Sequence, residues 1–276
     1  MIAWNNIILH DHLGAVSGIA SIGEDITDRK RMEAEVKYKN EELQKLNATK
    51  DKFFSIIAHD LKSPFNSILG FSQILEEQMR EKDYTAIEKY SKIIYESSER
   101  AVKLLMNLME WSRSQTGRME FNPEYCEMVE LIQEVTILLD GSALQKLITI
   151  NRVLPHTIRI FADKAMISTV VRNLISNAIK FTMPGGTITI SMEQTQTELV
   201  FTVQDTGIGI SKSGMEKLFR IEESFSTPGT QKEKGTGLGL ILCKEFVEKH
   251  NGEIRLESEV GKGSVFSFTI PKMSLN

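Results

Sequence analysis

The chain has 276 residues, 41% hydrophobic and 25% charged, with a formal net charge of −4, a composition that suits a folded protein of about two domains. Mild acidity without a basic block argues against a nucleic-acid binder. Cys126 and Cys243 have neither pairing nor metal-ligand spacing, as expected of two buried thiols in a reducing compartment. No signal peptide is visible and no apolar run approaches the ~18 residues of a membrane span, so the chain is expected to be soluble.

Residues 1–26 read as two strands, Ala3 to His10 and Val16 to Ile22, joined by the turn signal Asp11-His12-Leu13-Gly14. The following Gly23-Glu24-Asp25-Ile26-Thr27-Asp28-Arg29-Lys30 resembles the point where a PAS sensor domain hands over to a signalling helix. Only the final PAS-like hairpin would be present, and such a hairpin alone is marginal in water.

A helix is predicted from about Thr27 to Met79, with Thr27 or Asp28 as cap. Val36, Leu43 and Ile57 fall on one heptad row with Lys50 at the remaining step; Met32, Leu46 and Phe53 share the companion row with Lys39 and Asp60. Phe54 and Leu61 widen this coiled-coil seam into the stripe of a helix bundle. His59, followed directly by Asp60, falls off the seam and toward solvent. Pro64 removes a helical N–H, so a bend is expected just past the histidine. After a polar turn at Arg80 to Tyr84, a second helix runs to about Ser114, its apolar row Ile87, Tyr90, Ile94, Ala101, Leu105 and Leu108. Two helices with one stripe each make a poor core, and a homodimer would complete a four-helix bundle. Gln115 to Pro123 reads as a linker.

From about Pro123 to Lys272 a second pattern begins: a helix near Met128 to Leu144, strands at Leu147 to Asn151 and Thr157 to Phe161, and a helix from Asp163 to Phe181. Strands at Thr187 to Glu193 and Leu199 to Gln204, a long polar loop, a helix at Gly237 to His250 and strands at Glu253 to Ser258 and Ser264 to Ile270 complete an α+β sandwich. Asn173, Asn177 and Lys180 are spaced four and three apart on one polar helix face. Two amides and an ammonium suit a hard cation and a phosphate, although a solvated face explains them equally well in isolation. Asp205 ends a buried strand, and Gly207 and Gly209 after it allow close backbone approach and tight turning. Ser211 to Thr236 has the length of a lid. Gly235-Thr236-Gly237-Leu238-Gly239-Leu240 then opens a helix whose N–H groups can face phosphate. Gly261-Lys262-Gly263 reads as a β-turn.

The order and spacing of these segments, from about Lys50 to Pro271, resemble the sensor histidine kinases of two-component signalling. The resemblance implies a coiled-coil signalling helix at 27–49, a dimerisation and phosphotransfer domain at 50–116, a linker at 117–123 and a Bergerat-type ATP-binding domain at 124–272. It implies ATP and Mg²⁺, with Asn177 on the metal, Asn173 and Lys180 against the phosphates, and Asp205 reading the adenine amine beside Gly207 and Gly209. Phe219 and Arg220 would belong to the lid, with Arg220 meeting the γ-phosphate, and Gly235, Thr236, Gly237, Leu238 and Gly239 to the nucleotide-binding glycine box. His59 would become phosphorylated with Asp60 as its hydrogen-bond acceptor, then pass the group to an aspartate of a response-regulator receiver domain. Ser63 stands four residues after His59, where family members that also dephosphorylate their regulator usually carry Thr or Asn; a serine hydroxyl offers the same hydrogen bonding. A cytoplasmic location follows, compatible with being the soluble part of a longer, membrane-anchored protein. A Bergerat-fold ATPase that uses water in place of histidine is one alternative, and a catalytically silent dimeric scaffold is another. The His59 helix argues against the first, and Asn177, Asp205, Gly207 and Gly237 against the second.

Overall fold

The computed structural model describes residues 1–81, 85–115, 120–219, 227–231, 233 and 239–272, with main chain alone at 45, 46, 49, 53, 107, 110, 111 and 113–115. It divides into two compact units, Met1–Lys52 and Phe53–Asn276.

In the first unit β1 (Ile2–His10) pairs antiparallel with β2 (Val16–Asp25). The Asp11 carboxylate accepts from the N–H groups of Leu13 (2.8 Å) and Ala15 (2.9 Å), and Gly14 takes φ 82°, which closes the turn. Trp4, Ile8 and Ile19 stay exposed on the hairpin. α1 (Thr27–Glu81) begins directly after it. Its cap differs from the sequence expectation: the Asp25 carboxylate, two residues before Thr27, accepts the Thr27 N–H at 2.9 Å.

The second unit starts inside α1 and includes α2 (Ile87–Gln115), with the rings of Phe71 and Tyr90 stacked 5.4 Å apart between the two helices. α1 continues without interruption through Pro64, which is buried. Of the expected apolar row on α2, Ala101 is buried, but Leu105 is 48% exposed and its neighbour Leu104 only 4%. α2 packs on α6, and Leu104 lines a cavity of this unit.

β3 (Glu124–Glu127) pairs antiparallel with β5 (Arg159–Ala162), and α3 (Met128–Gln145) lies between them in sequence. A larger sheet has the order β4-β6-β7-β9-β8, formed by β4 (Thr149–Val153), β6 (Thr187–Gln194), β7 (Glu198–Asp205), β8 (Ile254–Glu259) and β9 (Gly263–Pro271). β4 and β6 run parallel and the other neighbours antiparallel. Alternate residues face inward, Ile188, Ile190 and Met192 on β6 and Leu199, Phe201 and Val203 on β7. They meet α3, α4 (Lys164–Phe181) and α6 (Gly239–Lys249), so the α+β sandwich is as expected. Phe201 and Phe268 are cross-strand partners with centroids 5.1 Å apart.

Three expectations change. β3 occupies the residues between the predicted linker, which ends at Pro123, and the predicted helix near Met128, where no element was read, because its register with β5 supplies partners that lie far along the chain. β4 starts two residues later than predicted, since Lys146 closes α3 through its N–H and Leu147 turns away at φ 56°. The loop after Asp205 contains a short helix, α5 (Lys212–Lys217), capped by the Ser211 hydroxyl on the Gly214 N–H at 3.2 Å.

Candidate active site

One cavity of about 480 Å³ is lined from both parts of the second unit, by His59, Asp60, Ser63 and Pro64 of α1 and by Asn173, Asn177 and Lys180 of α4. The volume suits a small-molecule ligand. Asp205, Gly209 and Gly239 line it as well. The His59 side chain is 86% exposed at the rim, and its Nδ1 lies 3.3 Å from Asp60 Oδ1. Adjacent helical residues diverge by about 100°, so this contact requires both side chains to lean together.

α4 earns its position from both ends. The Asp163 carboxylate accepts the N–H groups of Ala165 and Met166 at 3.1 Å, and Val170, Leu174 and Ala178 bury its apolar face. The opposite face carries Asn173, Asn177 and Lys180 into the cavity wall. Lys180 Nζ donates to the Thr227 carbonyl at 3.3 Å and lies 4.5 Å from the Phe181 ring centroid. Burial pulls its pKa down; Glu233 opposes this, while Lys103 and Lys146 add to it.

Asp205 is buried and accepts the Gly207 N–H at 2.8 Å. Burial pushes its carboxyl above the ordinary range against the N–H groups of Gly207 and Ser264, which hold it down. The turn beyond is fitted to its surroundings. A Cβ on Gly207 would stand 2.3 Å from the Phe181 carbonyl oxygen and 2.7 Å from Asp205 Oδ1. Gly209 has φ 67°, and a Cβ there would meet the Glu259 carbonyl oxygen at 2.0 Å. The Ile208 N–H reaches the Phe181 carbonyl at 3.2 Å and its carbonyl receives the Gly261 N–H at 2.8 Å. The Gly261–Gly263 turn thus props the Asp205 loop. Gly239 approaches Asn173 so closely that a Cβ would lie 2.8 Å from Asn173 Oδ1.

Phe219, expected in the lid, packs against the hydrophobic core, and its neighbour Leu218 lines the cavity. Arg220, Gly235, Thr236, Gly237 and Leu238 lie outside the described residues.

Sequence reasoning missed Lys146. Its ammonium, only 4% exposed, donates to the carbonyls of Ile179 (2.9 Å) and Lys180 (3.0 Å) and to Thr230 Oγ1 (2.7 Å), and pairs with Glu233 Oε1 at 2.7 Å. Thr230 in turn donates to the Thr182 carbonyl at 2.9 Å. The C-terminal carbonyls of α4 and residues 230 and 233 are therefore held by one buried charge. Arg100 and Lys103 of α2, which also line the cavity, were missed too; at three-residue spacing on a polar helix they read as solvated.

Residues 162–274 match the family described as histidine kinase-, DNA gyrase B- and HSP90-like ATPase, and residues 49–117 match the His kinase A phospho-acceptor domain. Sporulation kinase C of Bacillus subtilis is 33% identical over 99% of this chain and 62% of its own length. An uncharacterized sensor-like histidine kinase of Rhizobium meliloti is 31% identical over 95% of this chain and 50% of its own length. The crystal structure of histidine kinase ThkA in complex with response regulator protein TrrA is 26% identical, covers 98% of this chain and 75% of that one, and has a TM-score of 0.65. The chain spans about half the length of the curated relatives it matches.

Proposed function

The chain belongs to the sensor histidine kinases of two-component signalling, and we propose that it moves the γ-phosphoryl group of ATP to its own His59 and from there to an aspartate of a response regulator. The observation that carries this reading is that His59 and the Asn173, Asn177, Lys180 and Asp205 set line one cavity of a single chain. Reaction within one polypeptide is the route this arrangement supports.

Asp60 holds the Nδ1–H tautomer of His59 at 3.3 Å, which leaves the Nε2 lone pair free. The Nε2–P bond forms as the bond from phosphorus to the β-phosphate oxygen breaks, and ADP leaves. No base is needed, because the attacking nitrogen carries no proton. The imidazolium produced keeps its Nδ1–H on the Asp60 carboxylate. Lys180 neutralises phosphate charge, Asn173 and Asn177 position it, and Asp205 accepts a hydrogen bond from the adenine amine.

The donor set fits Mg²⁺ carried in on the nucleotide. Among the described residues no cluster of three His, Cys, Asp or Glu side chains could hold a metal by itself. Asn177 would supply one amide oxygen, in keeping with an ion that draws most of its ligands from water and phosphate. The chemistry such an ion would supply is neutralisation of phosphate charge.

Homodimerisation is supported by Phe65, Leu69, Val102, Leu105, Met106 and Met109, exposed apolar side chains of α1 and α2 that a four-helix bundle would cover. A response-regulator partner is supported by the complex in which ThkA was solved. Among the described residues no helix is long and apolar enough to cross a membrane. Ser63 lines the cavity with His59, which is compatible with a hydroxyl that orients water should the chain also dephosphorylate its regulator.

Incubation with γ-labelled ATP tests the reading. Label should be acid-labile and base-stable, and His59→Gln should abolish it while nucleotide affinity stays within about twofold. Label that survives in His59→Gln, or phosphate release without any labelled protein, would overturn it in favour of a water-using ATPase.

A further inference from the structure

Helix α2 places two cations where neither the family's nucleotide motifs nor the acceptor histidine calls for them. Arg100 and Lys103 line the cavity together with Lys180 across from them. Their three-residue spacing puts them on one face of α2, and Ala101 and Leu104 beside them are buried. α2 contacts α6, and Arg100 and Lys103 share the cavity with residues of α4. Among the described residues Lys103 has no carboxylate within ion-pair distance. Arg100 donates to Ser97 Oγ at 2.8 Å, a neutral acceptor. The cavity walls desolvate Lys103, and Arg172 repels it, both of which pull its pKa down. Lys180 feels Lys103 in the same sense. Asp60 and Asp205 also line the cavity, but the first faces His59 and the second accepts from Gly207. Positive charge thus collects between α2 and α4; Glu233 offsets it at Lys180, whereas Lys103 is acted on by Arg172 alone among the charged groups resolved around it.

We propose that Arg100 and Lys103 form the second wall of the polyphosphate site, so that the nucleotide's phosphates bridge the ATP-binding domain and the helical hairpin. This rests on the nucleotide reading above and deepens it. A polyphosphate relieves the repulsion among Lys103, Lys180 and Arg172 only when both walls are together. It therefore binds the docked arrangement more tightly and draws the hairpin, with His59, onto the nucleotide. Chain length of the phosphate decides the effect. AMP reaches fewer of these cations than ATP does.

The test measures equilibrium binding of ATP, AMP and inorganic tripolyphosphate to the full chain with Mg²⁺ present. Lys103→Gln should weaken ATP and tripolyphosphate by about tenfold, the low end for a charge-assisted hydrogen bond in a water-accessible site. AMP should change by less than about twofold. Lys103→Arg should restore most of the loss, and Arg100→Gln should show the same selectivity. Far-UV circular dichroism and melting verify that each variant is folded. Unchanged ATP and tripolyphosphate affinity, or equal losses for ATP and AMP, would overturn the proposal. Failure of the nucleotide reading looks different: the unmodified chain would bind neither ATP nor AMP, and His59 would take no label.

Discussion

Glu233→Gln leaves the Lys146 ammonium with its three neutral acceptors but without a carboxylate. Removing one partner of a fully buried ion pair costs about 3–5 kcal/mol. Glu233 is 35% exposed, and solvent screening reduces the expected cost to about 2 kcal/mol. Lys146→Met removes the charge instead. It strips a donor from the carbonyls of Ile179 and Lys180 and from Thr230 Oγ1, at about 1 kcal/mol apiece, partly offset by a buried apolar side chain. A net loss of about 2 kcal/mol is expected there as well. Once residue 146 is methionine, Glu233→Gln has no ammonium to abandon and should cost almost nothing. The double-mutant cycle should therefore return a coupling of about 1.5–2 kcal/mol.

Urea unfolding of the full chain, followed by circular dichroism and fluorescence together, gives the required free energies when the two probes coincide. A double variant whose loss equals the sum of the single losses would refute the coupling. The cycle has a pH signature too. Burial raises the Glu233 pKa, but hydrogen bonds, led by that from Lys146, bring it below the ordinary carboxylate value. A carboxylate lowered in the folded state stabilises above its unfolded pKa and loses that contribution as pH falls through the folded one. The coupling should be full at neutral pH and fade in acid.

Asp205→Asn should lower nucleotide affinity by at least about tenfold while raising the melting temperature slightly, because burial lifts the Asp205 pKa and ionisation at neutral pH opposes folding; titration and melting together check it, and a lower melting temperature would mean that the Gly207 and Ser264 hydrogen bonds outweigh desolvation. His250 Nδ1 lies 2.7 Å from the Phe246 carbonyl, Nε2 accepts the Asp163 N–H at 2.9 Å, and burial lowers its pKa. Stability should accordingly be complete above the ordinary histidine value and decline as pH falls from about 6.5 toward the lowered one; urea curves across that range should flatten in His250→Gln, and an unchanged slope would assign the acid sensitivity elsewhere.

The parts of the site legible in sequence are those where side-chain chemistry and local period coincide. Asn173, Asn177 and Lys180 share a helix face whatever that helix packs on, and Asp205 with its glycines announces a strand end that something approaches closely. Lys146 gave no such sign. A lysine after a helix reads as solvated, and its acceptors on α4 arrive more than thirty residues later. The choice between Leu104 and Leu105 was not legible either, since both suit an amphipathic helix and tertiary packing buries Leu104, which lines the cavity, and leaves Leu105 exposed. β3 carries charged residues at both ends, and its strand character comes from β5, not from alternation.

His59 owes its position to the faces of α1. At about 100° per residue, Ile57, Leu61 and Pro64 fall on one side of α1. Ile57 and Pro64 are buried and Leu61 packs against the core. Continuing around the helix from Pro64 come Asp60, Ser63 and then His59, all four lining the cavity. The order runs from anchored wall to open rim. Asp60 lies deeper, with a side chain 32% exposed against 86% for His59. A histidine set as deep as Asp60 would meet a nucleotide but be closed to a second protein. One on the far side of the helix would meet the protein but not the nucleotide. At the rim a single imidazole faces the cavity on one side and solvent on the other, and transfer between two partners in turn requires that position.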